Sequence, residues 1–230
     1  EWIAGRLLEA GLPVACLETR HVKAALSAMT VKTDRNDARG LAQIVRSGWF
    51  KAGHLKSAGS QRLRTLAAAG KVMVRAVTAN AQAIRGLLRP FGLKAGAVTR
   101  GRLGDRVCGL VASDPLCAAI VEPPLRAHER LRLELAELPR LVLRAVRSDT
   151  VCRRPMTMPG IGPVTAPTFR ATVDDPTRFR RSRAVGAYLG LTPRRYQSGE
   201  TDRVGRITKV GDGETRTALF EAANASLRPT

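Results

Sequence analysis

The sequence predicts a mostly α-helical protein with the remnant of an α/β domain at its N-terminal end. Three observations support this fold class. Hydrophobic residues make up 44% of the chain but aromatic residues only 4%, so Leu, Val and Ala, which favour helices, must build the core. Apolar residues recur at helical spacing through the middle of the chain. From residue 155 onward Gly and Pro become frequent, which predicts short helices there.

The first 57 residues have the element order of an α/β domain. Residues 2–10 predict a helix that Gly11 ends, residues 12–17 a short buried strand, and residues 21–29 a second helix. A further helix begins near Asp34 and continues to Gly48. We interpret this stretch as the C-terminal part of an α/β domain.

Residues 58–90 have the spacing of a coiled coil. Eight positions, separated alternately by three and four residues, include six apolar side chains. These positions are Leu63, Leu66, Gly70, Met73, Val77, Asn80, Ile84 and Leu87. Pro90 and Gly92 are expected to end this helix.

The rest of the middle region predicts a loop and two further helices. Residues 92–105 read as a loop because Gly and Arg dominate them. Helices are expected over 106–121 and 125–147, and Pro139 should kink or break the second one. The whole region, 58–150, therefore predicts a helical hairpin that packs either within the chain or against a second copy.

The charge of the chain indicates a nucleic-acid partner. The 39 Lys and Arg residues outnumber 19 Asp and Glu residues, giving a formal net charge of +20, and such an excess repels itself unless a polyanion binds. No apolar run approaches 18 residues, which argues against a membrane protein. The four cysteines lack the CxxC spacing of a zinc site. We expect a cytoplasmic, nucleoid-associated protein with reduced thiols.

Asp34 and Asp37 form a candidate metal-binding pair. They lie three residues apart, about 60° around a helix, so their carboxylates share one face. Such a pair can ligate a divalent cation if further carboxylates complete the site. The alternative is local, with Asp34 capping the helix and Asp37 complementing its dipole. The spacing alone favours this second interpretation.

Gly160 and Gly162 lie two residues apart before a helix rich in small residues. This pattern is typical of the turn in a helix-hairpin-helix element, whose exposed N–H groups hold a DNA phosphate. A tight turn between two helices, with no ligand, is the alternative. The net positive charge favours the contact with DNA.

Four arginines within six residues form a concentrated positive segment ahead of a helix near residues 184–189. Arginine binds phosphate through two parallel hydrogen bonds, so this segment is a candidate nucleic-acid contact. A solvated charged face is the alternative. The four residues are Arg178, Arg180, Arg181 and Arg183.

Ser198 precedes a glycine in a basic setting, with Arg194 and Arg195 before it and Lys209 after it. A serine hydroxyl attacks phosphorus when nearby groups stabilise the developing charge. A Ser-Gly pair on its own usually marks only a turn, and local spacing favours the turn.

Taken together, these segments resemble the DEDD-type transposases of insertion sequences, the 110/116/902 family. The matching segments are residues 32–39, 159–162 and 190–199, in the family's order and separation. The resemblance covers nearly all of the chain and is weakest across its helical middle. Each segment is a weak signal alone, whereas the combination is highly specific.

The resemblance implies three domains and an activity. Residues 1–57 would be the C-terminal remnant of a RuvC-like (RNase H-type) domain, 58–150 a coiled-coil helical region, and 151–230 a C-terminal transposase domain with a helix-hairpin-helix-like turn. The implied activity is DNA cleavage and strand exchange, guided by a structured RNA that bridges donor and target.

The resemblance also assigns roles to particular residues. Asp34 and Asp37 match the last two carboxylates of the family's Asp-Glu-Asp-Asp site, which would hold Mg²⁺, and Ser198 matches its nucleophile. The expected nucleic-acid contacts are Gly160, Gly162, Arg178, Arg180, Arg181, Arg183, Arg194, Arg195 and Lys209.

The family's first Asp and its Glu would lie upstream of Glu1. The start of the chain reads as mid-helix and its end stops just after a strong helical pattern, so both ends look cut. We therefore expect the chain to lack strand-exchange activity by itself. Its expected partners are DNA, a structured guide RNA and further copies of the chain, forming a dimer or tetramer through the helical hairpin. Two alternatives stay open: a degenerate relic that binds nucleic acid without catalysis, and a helix-hairpin-helix protein of DNA repair or junction binding.

Overall fold

The computed structural model describes residues 1–227, with Arg100 described by its backbone alone. Residues 228–230, which belong to the expected cut at the C-terminal end, lie outside the described residues. The chain divides into two compact units, residues 1–57 and 58–230. Most described residues are helical, and one two-stranded sheet lies in the second unit. The prediction of a mostly α-helical protein is therefore confirmed, whereas a RuvC-like remnant stays a prediction.

The first unit contains three helices, α1 (Trp2–Glu9), α2 (Thr19–Leu26) and α3 (Asp34–Ser47). Local signals account for the bounds of α3. The Thr33 hydroxyl accepts a hydrogen bond from the Asn36 amide at its start, and Gly48 adopts a left-handed φ of 68° at its end. The helix bounds predicted from Asp34 to Gly48 are confirmed.

The strand predicted over residues 12–17 is wrong. Only Leu17 pairs, in an isolated antiparallel bridge with Ala52, and Leu12 is half exposed. An apolar run forms a strand only when a neighbouring strand takes up its backbone N–H and C=O groups. No described segment of this unit supplies more than that single bridge. The following helix also begins and ends earlier than predicted, at Thr19 and Leu26.

The second unit is built on two long helices, α4 (Ala58–Leu88) and α6 (Pro115–Arg147), which pack against each other. The C-terminal turns of α4 share a buried cluster with α5 (Leu103–Val111) and the first turns of α6. The predicted seam of α4 is buried or half-buried at seven of its eight positions, and Leu87 is exposed instead. The hairpin thus packs within the chain. Its role in oligomer formation stays a prediction.

Two expectations for this region are corrected. The predicted loop over 92–105 already contains the start of α5 at Leu103, after a short turn of 3₁₀ helix at Arg100–Arg102. The helix expected to break at Pro139 instead continues from Pro115 to Arg147 and contains three internal prolines. Each proline removes one backbone hydrogen bond, and packing along α4 compensates for that local loss.

The C-terminal part of the second unit contains the short helices α7 (Thr150–Arg153), α8 (Thr165–Val173) and α9 (Arg183–Tyr188), and ends in α10 (Gly213–Ser226). Between α9 and α10 lie the strands β1 (Pro193–Ser198) and β2 (Thr201–Ile207). Helix α8 packs on both α4 and α10. Within residues 1–227, no helix is long and apolar enough to cross a lipid bilayer.

A buried cluster of hydrogen-bonded polar side chains connects α8 to α4. The Ser60 hydroxyl donates to the Asp174 carboxylate over 2.5 Å, and Arg170 donates to the Ser60 hydroxyl and to the Asp174 carbonyl. Asp174 is 7% exposed and has a φ of 61°, which an L-residue adopts only under constraint. The cluster orients α8 and, through its packing, the helix that follows the sheet.

Candidate nucleic-acid interface

Strands β1 and β2 form an antiparallel hairpin whose residues are all exposed. Ser198 pairs with Thr201 across a two-residue turn in which Gly199 has a φ of 54°. We call the two strands and this turn, residues 193–207, the blade. A two-stranded hairpin that buries nothing is marginally stable in water, so its conformation depends on what holds its two ends.

The ends of the blade are held by close backbone contacts. Residues 188–192 and 208–211, together with the Arg216 side chain, form what we call the root. The Lys209 amide donates to the Gly190 carbonyl over 3.1 Å, and the Thr208 amide donates to the Thr192 carbonyl over 2.9 Å. Gly190 has a φ of 69°, and a Cβ there would clash with the backbone of Val210. Only glycine fits this approach.

Arg216 bridges the two chain segments of the root. Its Nη1 donates to the Leu189 carbonyl over 3.0 Å and to the Val210 carbonyl over 2.9 Å. Gly211, with a φ of 85°, likewise leaves no room for a Cβ beside the Tyr188 carbonyl. A packed root therefore presents an exposed blade.

The two faces of the blade differ in composition. Side chains alternate along a strand and cross-strand partners share a face, so the register places Tyr196 and Ser198 with their partners Arg203 and Thr201. A Cβ on Gly205 would lie 3.5 Å from the Tyr196 ring, which places Gly205 on the same side. We call this side the serine face.

The opposite face carries an ion pair. Arg195 Nε donates to Asp202 Oδ1 over 2.9 Å, and its Nη2 donates to Oδ2 over 2.5 Å. The hydrogen bond from Arg195 lowers the pKa of the Asp202 carboxyl and raises that of the guanidinium. Arg195 is thus partly neutralised within the chain, and its predicted contact with nucleic acid stays a prediction.

Ser198 lies exposed at the end of β1, next to the turn. Within residues 1–227 its hydroxyl makes no hydrogen bond to a side chain. The local interpretation of Ser-Gly as a turn and the assignment of Ser198 as a nucleophile are compatible. The turn is what exposes the hydroxyl.

The other predicted cations of this region lie in different settings. Arg194 is exposed and donates to the Thr208 carbonyl over 3.3 Å. Lys209 is exposed in the root, where its φ of 55° is unusual for a residue with a side chain. The backbone of Lys209 thus has a structural role, while its ammonium group stays available to a ligand.

In the arginine segment 178–183, the first arginine is half-buried against two aromatic rings. The Arg178 guanidinium lies 4.4 Å from the centre of the Phe179 ring and 4.3 Å from that of Tyr188, and its Nε donates to the Val173 carbonyl. This arrangement stabilises the turn between α8 and α9. The other three, Arg180, Arg181 and Arg183, are exposed.

Gly160 packs against the last helix. Its φ is 80°, and a Cβ there would clash with the Ala222 carbonyl and with Ser226. The Ser226 hydroxyl donates to the Pro159 carbonyl over 2.7 Å. Gly162 precedes α8 and meets no such restriction. The structure explains Gly160 by a tight helix–helix contact, and phosphate binding by Gly160 and Gly162 stays a prediction.

Asp34 and Asp37 both lie in the first turn of α3. Asp34 is exposed, and Asp37 is half-buried at a cleft of about 490 Å³ that Lys32 also lines. Carboxylate oxygens are the ligands that divalent cations such as Mg²⁺ prefer. Among residues 1–227, however, no third Asp, Glu, His or Cys joins them. The pair fits a metal site in chemistry but supplies only part of one, so it cannot bind the ion tightly by itself.

The hairpin and two of its cations, Arg203 and Arg206, were not predicted from the sequence. Two sequence signals indicate the hairpin, a turn and the strand-favouring residues on either side of it. Residues 193–207 contain a two-residue turn at Gly199 between runs with Tyr196 and Val204, which favour strands. The arginines on β2 are separated by residues of other types, so they do not form the dense run that marks segment 178–183.

Comparison with known proteins gives two family matches. Residues 152–230 match the model described as "Transposase IS116/IS110/IS902 family", and residues 1–92 match a DEDD-type model for insertion sequence IS110, described as "Transposase". The first match includes the whole hairpin, and the second includes Asp34 and Asp37.

Curated proteins give a consistent result. The chain is 32% identical over 206 residues to a "Probable family 20 transposase" of Pseudomonas aeruginosa, which covers 86% of this chain and 60% of that protein. It is 30% identical over 227 residues to a "Transposase for insertion sequence element IS1111A" of Coxiella burnetii, which covers 95% and 60%. The chain thus spans about 60% of the length of these relatives. A shorter match, 37% over 68 residues, is to a "Pilin gene-inverting protein" of Moraxella lacunata, covering 29% of this chain and 21% of that protein.

Proposed function

The chain belongs to the insertion-sequence transposases of the IS116/IS110/IS902 family, through residues 1–92 and 152–230, and from this premise we propose that its blade binds DNA. Ser198 is proposed as the nucleophile that attacks a DNA phosphodiester. The observation that supports this most directly is the blade itself, a basic hairpin that is exposed throughout and held firmly only at its root.

The blade suits a nucleic-acid ligand for a physical reason. Its exposed side chains include Tyr196, Arg203 and Arg206, and it contributes nothing to the core. Arginine neutralises phosphate, and a two-stranded ribbon fits the major groove or follows a backbone. Binding would give these residues the contacts that the chain itself does not provide.

In the proposed reaction the Ser198 hydroxyl oxygen forms a bond to phosphorus, and the bond from phosphorus to one deoxyribose oxygen breaks. The serine proton passes to water, and water supplies a proton to the released deoxyribose oxygen, which leaves as a hydroxyl. Arginines of the blade stabilise the charge that develops on the phosphoryl oxygens. The product is a covalent link between Ser198 and one DNA end, with the other end free for exchange.

The DEDD type implies that the family uses divalent metal. We propose that Asp34 and Asp37 are two of the carboxylates that hold Mg²⁺, which would activate oxygen atoms at the phosphate when bound. Because two carboxylates do not complete such a site, we predict that the chain alone does not exchange strands. A denaturing-gel assay that detects metal-dependent turnover of DNA by the chain alone would contradict this.

DNA binding is tested by fluorescence anisotropy with the chain and a labelled duplex. Phosphate contacts release condensed counterions, so the logarithm of the binding constant should fall linearly with that of salt concentration, by about 0.9 for each phosphate neutralised. The proposed function would be overturned if the properly folded chain did not bind DNA at low ionic strength. A structured RNA, measured in parallel, tests the proposal that such an RNA guides the recombination.

The nucleophile is tested with Ser198→Ala. Because the Ser198 hydroxyl has no partner among the described residues, this change should leave folding, DNA affinity and the salt dependence intact. Covalent attachment is measured on denaturing gels in a chimaera in which this chain replaces its matching segment in the Pseudomonas aeruginosa relative. The chimaera should form a DNA adduct that the Ala variant lacks. An adduct that survives Ser198→Ala would exclude this residue as the nucleophile, and lost binding would indicate a structural role.

A further inference from the structure

We propose that the blade binds the DNA backbone through its serine face alone, with Arg203 as the side chain that grips the phosphate beside Ser198. This inference rests on the proposed function and goes further, because it says which side of the hairpin meets DNA. It also assigns a contact to a residue outside the arginine-rich segments that stand out in the sequence.

The register places Arg203 within reach of the reacting group. Arg203 pairs directly with Tyr196, and Ser198 pairs with Thr201. Arg203 and Ser198 are therefore diagonal neighbours on one face, about 7–8 Å apart at their backbones, a separation that a long side chain spans. A phosphate next to the Ser198 hydroxyl is thus within reach of the Arg203 guanidinium.

The charges of the two faces favour the serine face. Among the described residues Arg203 has no acidic partner, so its donors are free for a ligand. On the other side, Asp202 takes up two donors of Arg195, and its carboxylate repels an approaching phosphate. The serine face therefore offers Arg203 as a cation without an acidic partner, whereas on the other face Asp202 compensates Arg195.

Tyr196 strengthens the same assignment. Its side chain is 58% exposed, and its ring lies beside Gly205, where a Cβ would make an ordinary contact with it at 3.5 Å. A phenol hydroxyl donates a hydrogen bond to a phosphate oxygen, and its ring packs against a deoxyribose. Together Tyr196 and Arg203 would position the backbone so that one phosphorus faces the Ser198 hydroxyl.

The test compares matched variants of the two faces in the salt-dependent anisotropy assay. Arg203→Gln should weaken binding about tenfold and reduce the salt slope by about 0.9, the loss of one phosphate contact. Arg203→Lys should restore the slope. Arg195→Gln removes the same charge from the other face and should weaken DNA binding less than Arg203→Gln does. Equal losses of DNA affinity in the two variants, or a larger loss in Arg195→Gln, would overturn the assignment.

A second pair of variants adds a negative charge to each face instead of removing a positive one. Thr201→Glu places a carboxylate on the serine face and Val204→Glu places one on the opposite face, where Arg195 is its cross-strand partner. Both positions are exposed, so both variants should melt within a few degrees of the unsubstituted chain. Thr201→Glu should weaken binding at least tenfold and Val204→Glu less than threefold. The reverse order would overturn the assignment, whereas an unsubstituted chain that binds no DNA would overturn the proposed function itself.

Discussion

The root and the blade of the hairpin use the same residue type for opposite purposes. Arg216, in the root, donates to two backbone carbonyls of the protein, whereas Arg203, in the blade, has no protein partner among the described residues. Glycines differ in the same way. Gly190 in the root leaves no space for a Cβ, and Gly205 in the blade does. An arginine or a glycine therefore indicates function only after its surroundings are known.

The difference has a mechanical consequence. If the blade were flexible, binding would have to order all of its residues, and each residue fixed costs about 1–2 kcal/mol of conformational entropy. The root fixes both ends of the blade before binding, so less of that cost remains. The contrast between a packed root and an exposed blade predicts a graded series of stability effects.

The largest effect is expected at Gly190. Gly190→Ala should destabilise the chain by more than about 3 kcal/mol, because the new Cβ would clash with the Val210 backbone at a φ of 69°. The free energy of unfolding in urea measures it. Gly205→Ala is the control, expected within about 1 kcal/mol since its Cβ meets only ordinary contacts. Similar losses at both positions would contradict the distinction between root and blade.

The next effect is expected at Arg216. Arg216→Ala should cost about 2–3 kcal/mol because two carbonyls of the root lose a charged donor. Thermal unfolding monitored by circular dichroism measures the change. Arg206→Ala removes an exposed arginine of the blade and should stay within about 0.5 kcal/mol. If Arg206→Ala lowered stability as much as Arg216→Ala, the blade would be structural rather than free.

A smaller effect is expected at Arg178. Arg178→Ala should cost about 1–2 kcal/mol because it removes the contacts of the guanidinium with the Phe179 and Tyr188 rings and its hydrogen bond to the Val173 carbonyl. Arg181→Ala, three residues away and exposed, should leave stability unchanged and weaken DNA binding instead. The two variants, compared by unfolding and by anisotropy, extend the contrast beyond the hairpin. An Arg178 variant of unchanged stability with weakened DNA binding would support the predicted nucleic-acid contact of this residue.

The smallest effect is expected at Val204, which is 71% exposed on the blade. Val204→Thr keeps a β-branched side chain and should change the free energy of unfolding by less than about 0.5 kcal/mol. A loss above about 1 kcal/mol in urea unfolding would mean that Val204 is covered in solution.

Much of the helical framework was predictable, because helix signals are local. The bounds predicted for α3, Asp34 and Gly48, lie within one residue of its observed bounds, and the seam from Leu63 to Ile84 predicts the buried side of α4. Two of the errors have one cause. The strand expected over 12–17 lacked a partner strand, and the break expected at Pro139 was overridden by packing on α4. Both outcomes depend on residues far away in the sequence.

The candidate site was predictable in its chemistry but not in its geometry. The resemblance singled out Ser198, Asp34 and Asp37, and the arginine runs were evident. Which cations are free could not be read from the sequence, since Arg178 is held by two rings and Arg195 by Asp202. Arg203 was overlooked because its place beside Ser198 arises only when β2 pairs with β1.

The helical composition, the excess positive charge and the family of this protein can be inferred from its residues in order, because helix caps, apolar spacing and motif residues act over a few neighbouring positions. Which glycines are indispensable and which arginines reach solvent depends on the folded protein. Those properties depend on contacts such as Ser60 with Asp174, 114 residues apart, and Arg216 with Leu189, 27 residues apart. Such contacts are set by the packing of whole elements, and no local pattern records them.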